Sequence, residues 1–268
     1  MATTVVLTFD NLGEAAELEQ GTWPADAPRG EHPSVVEALP RLLDLLDELG
    51  FRATFFVEAV NTVDYPDAVR ELADRGHEVG FHAWRHERWA ELDAEREREL
   101  VQRSAAAYAE LGVPVRAFRP PGGGLSVRHV AELARAGIDW CSPKGSRAGV
   151  DDTGMVHLPF RWELVDATYL YPPFAELRRG LGLPAAPLDA RAFEDLLWRE
   201  LELEPDPFAA TLILHPFLSA DPAVGEAHAR ILRRLRGLAD EGAVRVIAGA
   251  EAAAELRSAP DPPRPALG

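Results

Sequence analysis

Short apolar runs, most of them ending in a polar residue and most followed by a helical segment, set the strongest limit on how this chain folds. Val5-Val6-Leu7-Thr8-Phe9 is β-branched and apolar and stops at Asp10. The same pattern returns at 53–57, at 77–82 ending in His82, at 115–119 ending in Arg119, at 138–142, and at 211–215 ending in His215. Between them lie segments with helical spacing. Val35, Leu39, Leu42, Leu43, Leu46 and Leu49 share one face of a helix that Ser34 caps and Gly50 stops. Further helices are expected over 67–75, 93–111, 126–136, 192–203 and 223–240, with a strand over 156–159 and a last one over 244–247. Strands alternating with helices of this length predict a parallel sheet covered by helices. The expected fold is α/β, an incomplete (β/α)7 barrel over residues 1–258. Residues 143–210 break the rhythm and are read as an excursion over the site. The Pro-rich end, 259–268, is expected to be a disordered tail.

In such barrels the active site sits at the C-terminal ends of the strands. The polar residues assigned to those ends are Asp10, His82, Arg119, Asp139 and His215. Asp10, closing an apolar strand, suits a general base. His82 and His86 are four residues apart, read as one helical turn that aims both rings the same way, and imidazole is the commonest metal ligand. Arg119 precedes Pro120-Pro121-Gly122-Gly123-Gly124, a rigid and then permissive turn, and a guanidinium there can hold a carboxylate. His215 ends Leu212-Ile213-Leu214 and precedes Pro216.

Composition excludes several alternatives. With 28 basic and 44 acidic residues the net charge is −16, which repels nucleic acid and anionic lipid. One cysteine, Cys141, permits no intrachain disulfide. There is no signal-peptide pattern at the N-terminus and no apolar run long enough to span a membrane, so a cytoplasmic protein with a small-molecule partner is expected, self-association being left open.

Four of these segments, in this order, resemble the polysaccharide-deacetylase family, whose shared region is the NodB homology domain. Thr8-Phe9-Asp10-Asn11 matches the family's T-F-D-D, and His82-Ala83-Trp84-Arg85-His86 its H-[S/T]-x-x-H. Arg119-Pro120-Pro121-Gly122-Gly123 is similar to R-x-P-x-G, and Leu212-Ile213-Leu214-His215 to L-x-H. The resemblance covers roughly residues 4–247. The segment 158–169 and the pair His215-Pro216 are similar to a branch that holds intracellular peptidoglycan-deacetylase-like proteins, cyclic imide hydrolases and allantoinase-like enzymes.

The resemblance implies hydrolysis of a C–N amide bond with a divalent metal, commonly zinc. Asp10 would be the base, Arg119 its orienting partner, His215 the acid, and His82 and His86 metal ligands. Trp84, Pro121, Gly122, Asp139, Trp162, Asp166 and Tyr169 would line the substrate. The family's ligand Asp falls at Asn11, or in the narrower branch at Leu12, so its anionic ligand is replaced. Asn11 could bind through its amide oxygen, with Asp10 or Glu14 as substitutes. Three readings follow: N-deacetylation of a small intracellular N-acyl compound, opening of a cyclic imide or ureide, and an inactive ligand-binding homologue.

Overall fold

The computed structural model describes residues 2–202 and 210–267; residues 203–209 of the expected excursion lie outside them. The strands are β1 (Thr3–Asp10), β2 (Thr54–Val57), β3 (Glu78–Phe81), β4 (Ala117–Phe118), β5 (Trp140–Cys141), β6 (Gly145–Arg147), β7 (Gly149–Val150), β8 (Val156–His157), β9 (Ala210–Leu214), β10 (Val244–Ile247) and β11 (Ala266–Leu267). The main sheet runs β10-β1-β2-β3-β4-β5-β8-β7, with β9 also on β1. All its pairings are parallel except that of β7 with β8. The helices are α1 (Ala15–Gln20), α2 (Leu39–Glu48), α3 (Asn61–Asp64), α4 (Pro66–Asp74), α5 (Ala94–Leu111), α6 (Val127–Arg135), α7 (Asp166–Leu170), α8 (Ala175–Gly180), α9 (Ala190–Glu202), α10 (Pro222–Asp240) and α11 (Gly249–Ser258).

Strand periodicity sorts the side chains onto two sides of the sheet. In β1, Val5, Leu7 and Phe9 join the large core under the helices, where Leu39, Leu43 and Leu46 of α2 are almost fully buried. Burying each leucine contributes about 1.5–3 kcal/mol. Val6 faces the other way, into a smaller core with Phe56, Ala117, Trp140, Val156, Leu158 and Ile247. That second core is the inside of the curled sheet. α11 plugs its lower end with Ala252, Ala253 and Leu256. Gly249 starts this helix because a Cβ there would stand 2.1 Å from the Trp140 ring.

The curl does not close by a ladder. Among the described residues, β8 and β9 share no ladder; the stretch after β8 reaches β9 by a bridge, Val165 to Ile213, and by a side-chain bond from Thr211 Oγ1 to the Pro159 carbonyl (2.8 Å). The expected incomplete barrel is therefore what the chain forms.

Three local expectations are corrected. The helix expected from Ser34 opens as a wide turn, Ser34–Ala38, before α2 begins, and Pro40 at the start of α2 has no N–H to give. The His82–His86 segment is not a helical turn, because Ala83 and His86 have left-handed φ of 63° and 74°. The Pro-rich end is not free through residue 267. β11 pairs antiparallel with β6, and Val150 N donates to the Pro263 carbonyl (2.9 Å). Gly145 and Gly149 admit it, since a Cβ at either would lie within 2.5 Å of tail backbone.

Candidate active site

Register carries the site. Phe9 stands opposite Leu214, so Asp10 and His215 follow side by side at the tips of β1 and β9. Val57 stands opposite Phe81, Phe81 opposite Phe118, and Phe118 opposite Cys141. The next residue of each strand is Glu58, His82, Arg119 and Ser142. Alternation turns these toward the inside, as it does Asp10.

Arg119 is the hub of the floor and is 1% exposed. Its Nη1 donates to Asp10 Oδ1 (2.5 Å) and Thr8 Oγ1 (2.9 Å), and its Nη2 to Ser142 Oγ (2.9 Å). The Phe56 ring lies 4.1 Å from its guanidinium carbon. Burial pulls the Arg119 pKa down, and Asp10 opposes that pull. A buried cation is tolerable here because a carboxylate and two hydroxyls meet it. The following turn needs its glycines: Gly123 has φ 81°, and a Cβ on it would strike Lys144 and Phe160.

His82 Nδ1 lies 2.7 Å from the Arg119 carbonyl. A carbonyl only accepts, so the proton is on Nδ1 and the Nε2 lone pair is free. The His86 ring centroid is 4.9 Å from that of His82. Burial lowers both imidazoles to about 3, which keeps them neutral. Glu87 holds their turn by accepting from Trp84 N and Arg85 N (both 2.9 Å).

The third group, an anionic one, directly follows β2. Single ligand atoms of Glu58, His82 and His86 all lie within 4.8 Å of one another. Glu58 is fully buried; its Oε2 accepts from Leu12 N (3.2 Å) and Asn61 Nδ2 (3.4 Å), while Oε1 has no hydrogen-bond partner among the described residues. Burial pushes its carboxyl up to about 8, with Asp10 and Glu87 adding to the rise. A buried carboxylate with one unpartnered oxygen, grouped with two neutral imidazoles, fits a divalent cation, which would favour the ionised form. The donor set of one oxygen and two nitrogens suits zinc.

The substitutes expected from the 10–14 segment do not join this set. Asp10 is committed to Arg119. Glu14 Oε1 accepts from Gly30 N (2.9 Å) and Oε2 from the Tyr65 hydroxyl (2.5 Å), so it ties down the loop after α1. Asn11 bends the chain with φ 60°. The Leu12 amide and carbonyl are held by Glu58 and Asn61. Glu58 escaped sequence reasoning although it carries the signal that singled out Asp10, an acid closing an apolar strand.

His215 receives its support from the excursion. Its Nδ1 is 2.5 Å from Asp166 Oδ1, and its backbone N donates to Asp166 Oδ2 (2.7 Å). Asp166 is fully buried, and its two histidine neighbours, His215 and His228, hold it ionised well below the usual carboxylate range. In return Asp166, together with Asp10, raises the His215 pKa against the effect of burial.

The expected substrate-lining residues divide. Pro121 and Gly122 remain beside Arg119, and Trp162 is half-buried between the Phe160 and Phe174 rings (5.2 and 5.7 Å). Asp166 lies behind His215 and is fully buried. Asp139 precedes β5 instead of ending it, so it sits at the opposite end of the barrel, paired with Arg116 and Arg257. Trp84 packs into the helix-side core under Arg103, 3.6 Å from its ring. Tyr169 is 2% exposed and donates to the Glu163 carbonyl (2.8 Å).

A family model described as "Polysaccharide deacetylase" matches residues 2–140. Chitin deacetylase 1 of Saccharomyces cerevisiae is 37% identical over 95 residues, which is 35% of this chain and 32% of the relative. A peptidoglycan-N-acetylglucosamine deacetylase of Bacillus cereus is 29% identical over 33% of this chain and 32% of its own length. The matched segments thus span about a third of these curated relatives. A crystal structure of a polysaccharide-deacetylase-type protein from Mycobacterium smegmatis superposes with a TM-score of 0.80 at 26% identity, covering 95% of this chain and 90% of that one. An allantoinase structure shares the fold, with a TM-score of 0.72 at 16% identity over 98% and 93% of the two chains.

Proposed function

Because the chain belongs to the polysaccharide deacetylase family, we propose that it hydrolyses an amide C–N bond by removing an acyl group from the nitrogen of a small N-acyl compound. The observation that supports this best is the opposite wiring of two neighbouring groups. At the tip of β1, Asp10 is held by a guanidinium, which suits a carboxylate that accepts a proton from water. At the tip of β9, His215 is held by a buried carboxylate that raises its pKa, which suits an imidazolium that gives a proton away. An amide nitrogen leaves only once protonated, so both groups are needed.

Glu58, His82 and His86 would hold a divalent metal, which when bound would polarise the amide carbonyl and acidify water. Arg119 orients Asp10 and also fixes His82 through its carbonyl. Asp166 fixes the ring and tautomer of His215. Phe160 and Trp162 exclude water from one wall.

That aromatic wall also favours a second reading, opening of a flat cyclic imide or ureide by the same groups. A substrate panel separates the two. N-acetyl amino sugars and simple N-acyl amines should be turned over in preference to hydantoin- and succinimide-type rings; the reverse preference would establish the second reading. Metal analysis of protein purified without chelator, with assays before and after chelation, tests the metal. Protein that carries its metal yet hydrolyses neither set would be a binding homologue.

A further inference from the structure

Asp166 carries more than the acid. Its Oδ1 accepts from Ala167 N (2.6 Å) besides contacting His215 Nδ1, and its Oδ2 meets a second imidazole, His228 Nε2, at 3.0 Å. His228 lies on α10, is 3% exposed, and stands against the Phe193 ring of α9. Its other nitrogen, Nδ1, is 2.7 Å from Ser219 Oγ. His228 Nε2 stands at ion-pair distance from Oδ2 without the alignment of a full hydrogen bond; because two lone pairs 3.0 Å apart would repel, the proton sits on Nε2 and the Ser219 hydroxyl donates to Nδ1. One buried negative charge is thus gripped from two sides: His215 from the mouth, and His228 from a helix that contributes nothing else to the site.

We propose that His228 is a positioning residue for the acid. It fixes Asp166 Oδ2 and so keeps Oδ1 on His215 Nδ1, presenting Nε2 of His215 to the leaving nitrogen. Without it, Oδ2 keeps only the His215 backbone N–H. The buried carboxylate can then turn, and the His215 ring turns with it. Ser219 extends the arrangement by holding the His228 ring and its tautomer.

This inference rests on His215 being the acid of the proposed reaction, so its test includes a measurement that needs no turnover. In His228→Leu, kcat should fall about 10- to 100-fold, the usual cost of losing an outer partner of a catalytic group, while KM changes less than about threefold. In His228→Gln, whose amide N–H reaches the same oxygen, kcat should recover to within about threefold of the parent. Independently, the proton in the short His215–Asp166 bond should give a far-downfield NMR resonance. It should shift or broaden in His228→Leu and return in His228→Gln. The proposal is overturned if His228→Leu keeps both the kcat and the resonance of the parent. It is equally overturned if Leu and Gln variants lose stability and activity alike while the resonance stays put, since His228 would then serve only to pack α10. A protein that turns over no amide but shows the resonance changes would sink the proposed reaction and leave the positioning role standing.

Discussion

The two buried arginines belong to two differently built halves of the molecule. Arg119, at the tip of β4, meets a carboxylate and two hydroxyls. Arg178, on α8 in the excursion, is also fully buried and meets carbonyl oxygens: Ala185 through Nε and Nη2 (3.1 and 2.6 Å), Thr168 and Tyr171 through Nη1 (3.1 and 2.8 Å), and Pro172 through Nη2 (3.2 Å). In the first half the sheet register places the functional groups, and the arginine completes a charge pair that chemistry can use. In the second there is almost no ladder. A guanidinium gathers loop carbonyls that strands would otherwise satisfy, and thereby fixes the short helix that begins with Asp166. Register places Asp10, Glu58, His82 and Arg119; side chains reaching backbone hold the segment that supports His215.

The largest effects should come where the halves meet. Asp10→Asn and His215→Ala should each lower kcat by about 100- to 10,000-fold with small changes in KM, and Asp10→Asn, which leaves the buried Arg119 without its counter-charge, should lower the unfolding midpoint as well. Near-parental kcat in both, on a verified substrate, would remove the acid–base assignment. Arg178→Met should act the other way, on stability. It strands several buried carbonyls, each worth about 1–3 kcal/mol, so urea unfolding should show a loss of about 3 kcal/mol or more. If Arg178→Met unfolds like the parent, the carbonyl crown is not what holds the excursion. Glu58→Gln should reduce bound metal about as much as His82→Ala does, judged by elemental analysis of purified protein, whereas Glu14→Gln should leave it unchanged. Equal metal in Glu58→Gln and parent would return the third ligand to the β1 tip.

Proton affinities should differ in sign between the halves of the metal-free protein. The folded pKa values of His82 and His86 lie near 3, below the ordinary 6.5, so their contribution is complete above pH 6.5 and is lost as pH falls toward 3. His215 is raised, so its contribution is complete below pH 6.5 and is lost as pH rises through its folded pKa. Imidazole nitrogen shifts should show His82 and His86 neutral at pH 5 and His215 protonated at pH 6.5. The opposite order would invert the assignment of ligand and acid. The smallest effect is expected at the rim. Trp162→Ala should raise KM about fivefold, or about 1 kcal/mol, for ring substrates and less for acyclic ones.

The same contrast explains what could be read in advance. Asp10, His82, Arg119 and His215 were legible because an apolar β-branched run ending in a polar residue marks a strand tip, and a parallel sheet gathers its tips. Asp139 shows how that inference fails. It abuts a strand at its start, and a shift of a few residues along a strand moves a side chain from mouth to base. Asp166 was marked as part of the site, but its partner His215 lies 49 residues away, and no local pattern distinguishes a carboxylate that touches substrate from one that supports an acid. Trp84 and Tyr169 were aromatics near the right motifs whose rings turn into the core. The tail was misread because proline content marks weak intrinsic order, whereas its order comes from two distant glycines that let backbone lie on backbone.

The unclosed seam between β8 and β9 bears on how such a protein can change. A closed ladder couples every strand to its neighbours, so lengthening one connection shifts the register of the rest. Here, among the described residues, the stretch between the two seam strands is joined to β9 and its tip by one bridge, one hydroxyl and the Asp166 carboxylate on His215. Apart from the segment that carries Asp166, it can be lengthened, shortened or rewritten without disturbing the tips that hold Asp10, Glu58, His82 and Arg119. The groups set by sheet register can thus persist while the panel hung across the gap varies around the one carboxylate, Asp166, that His215 needs from it.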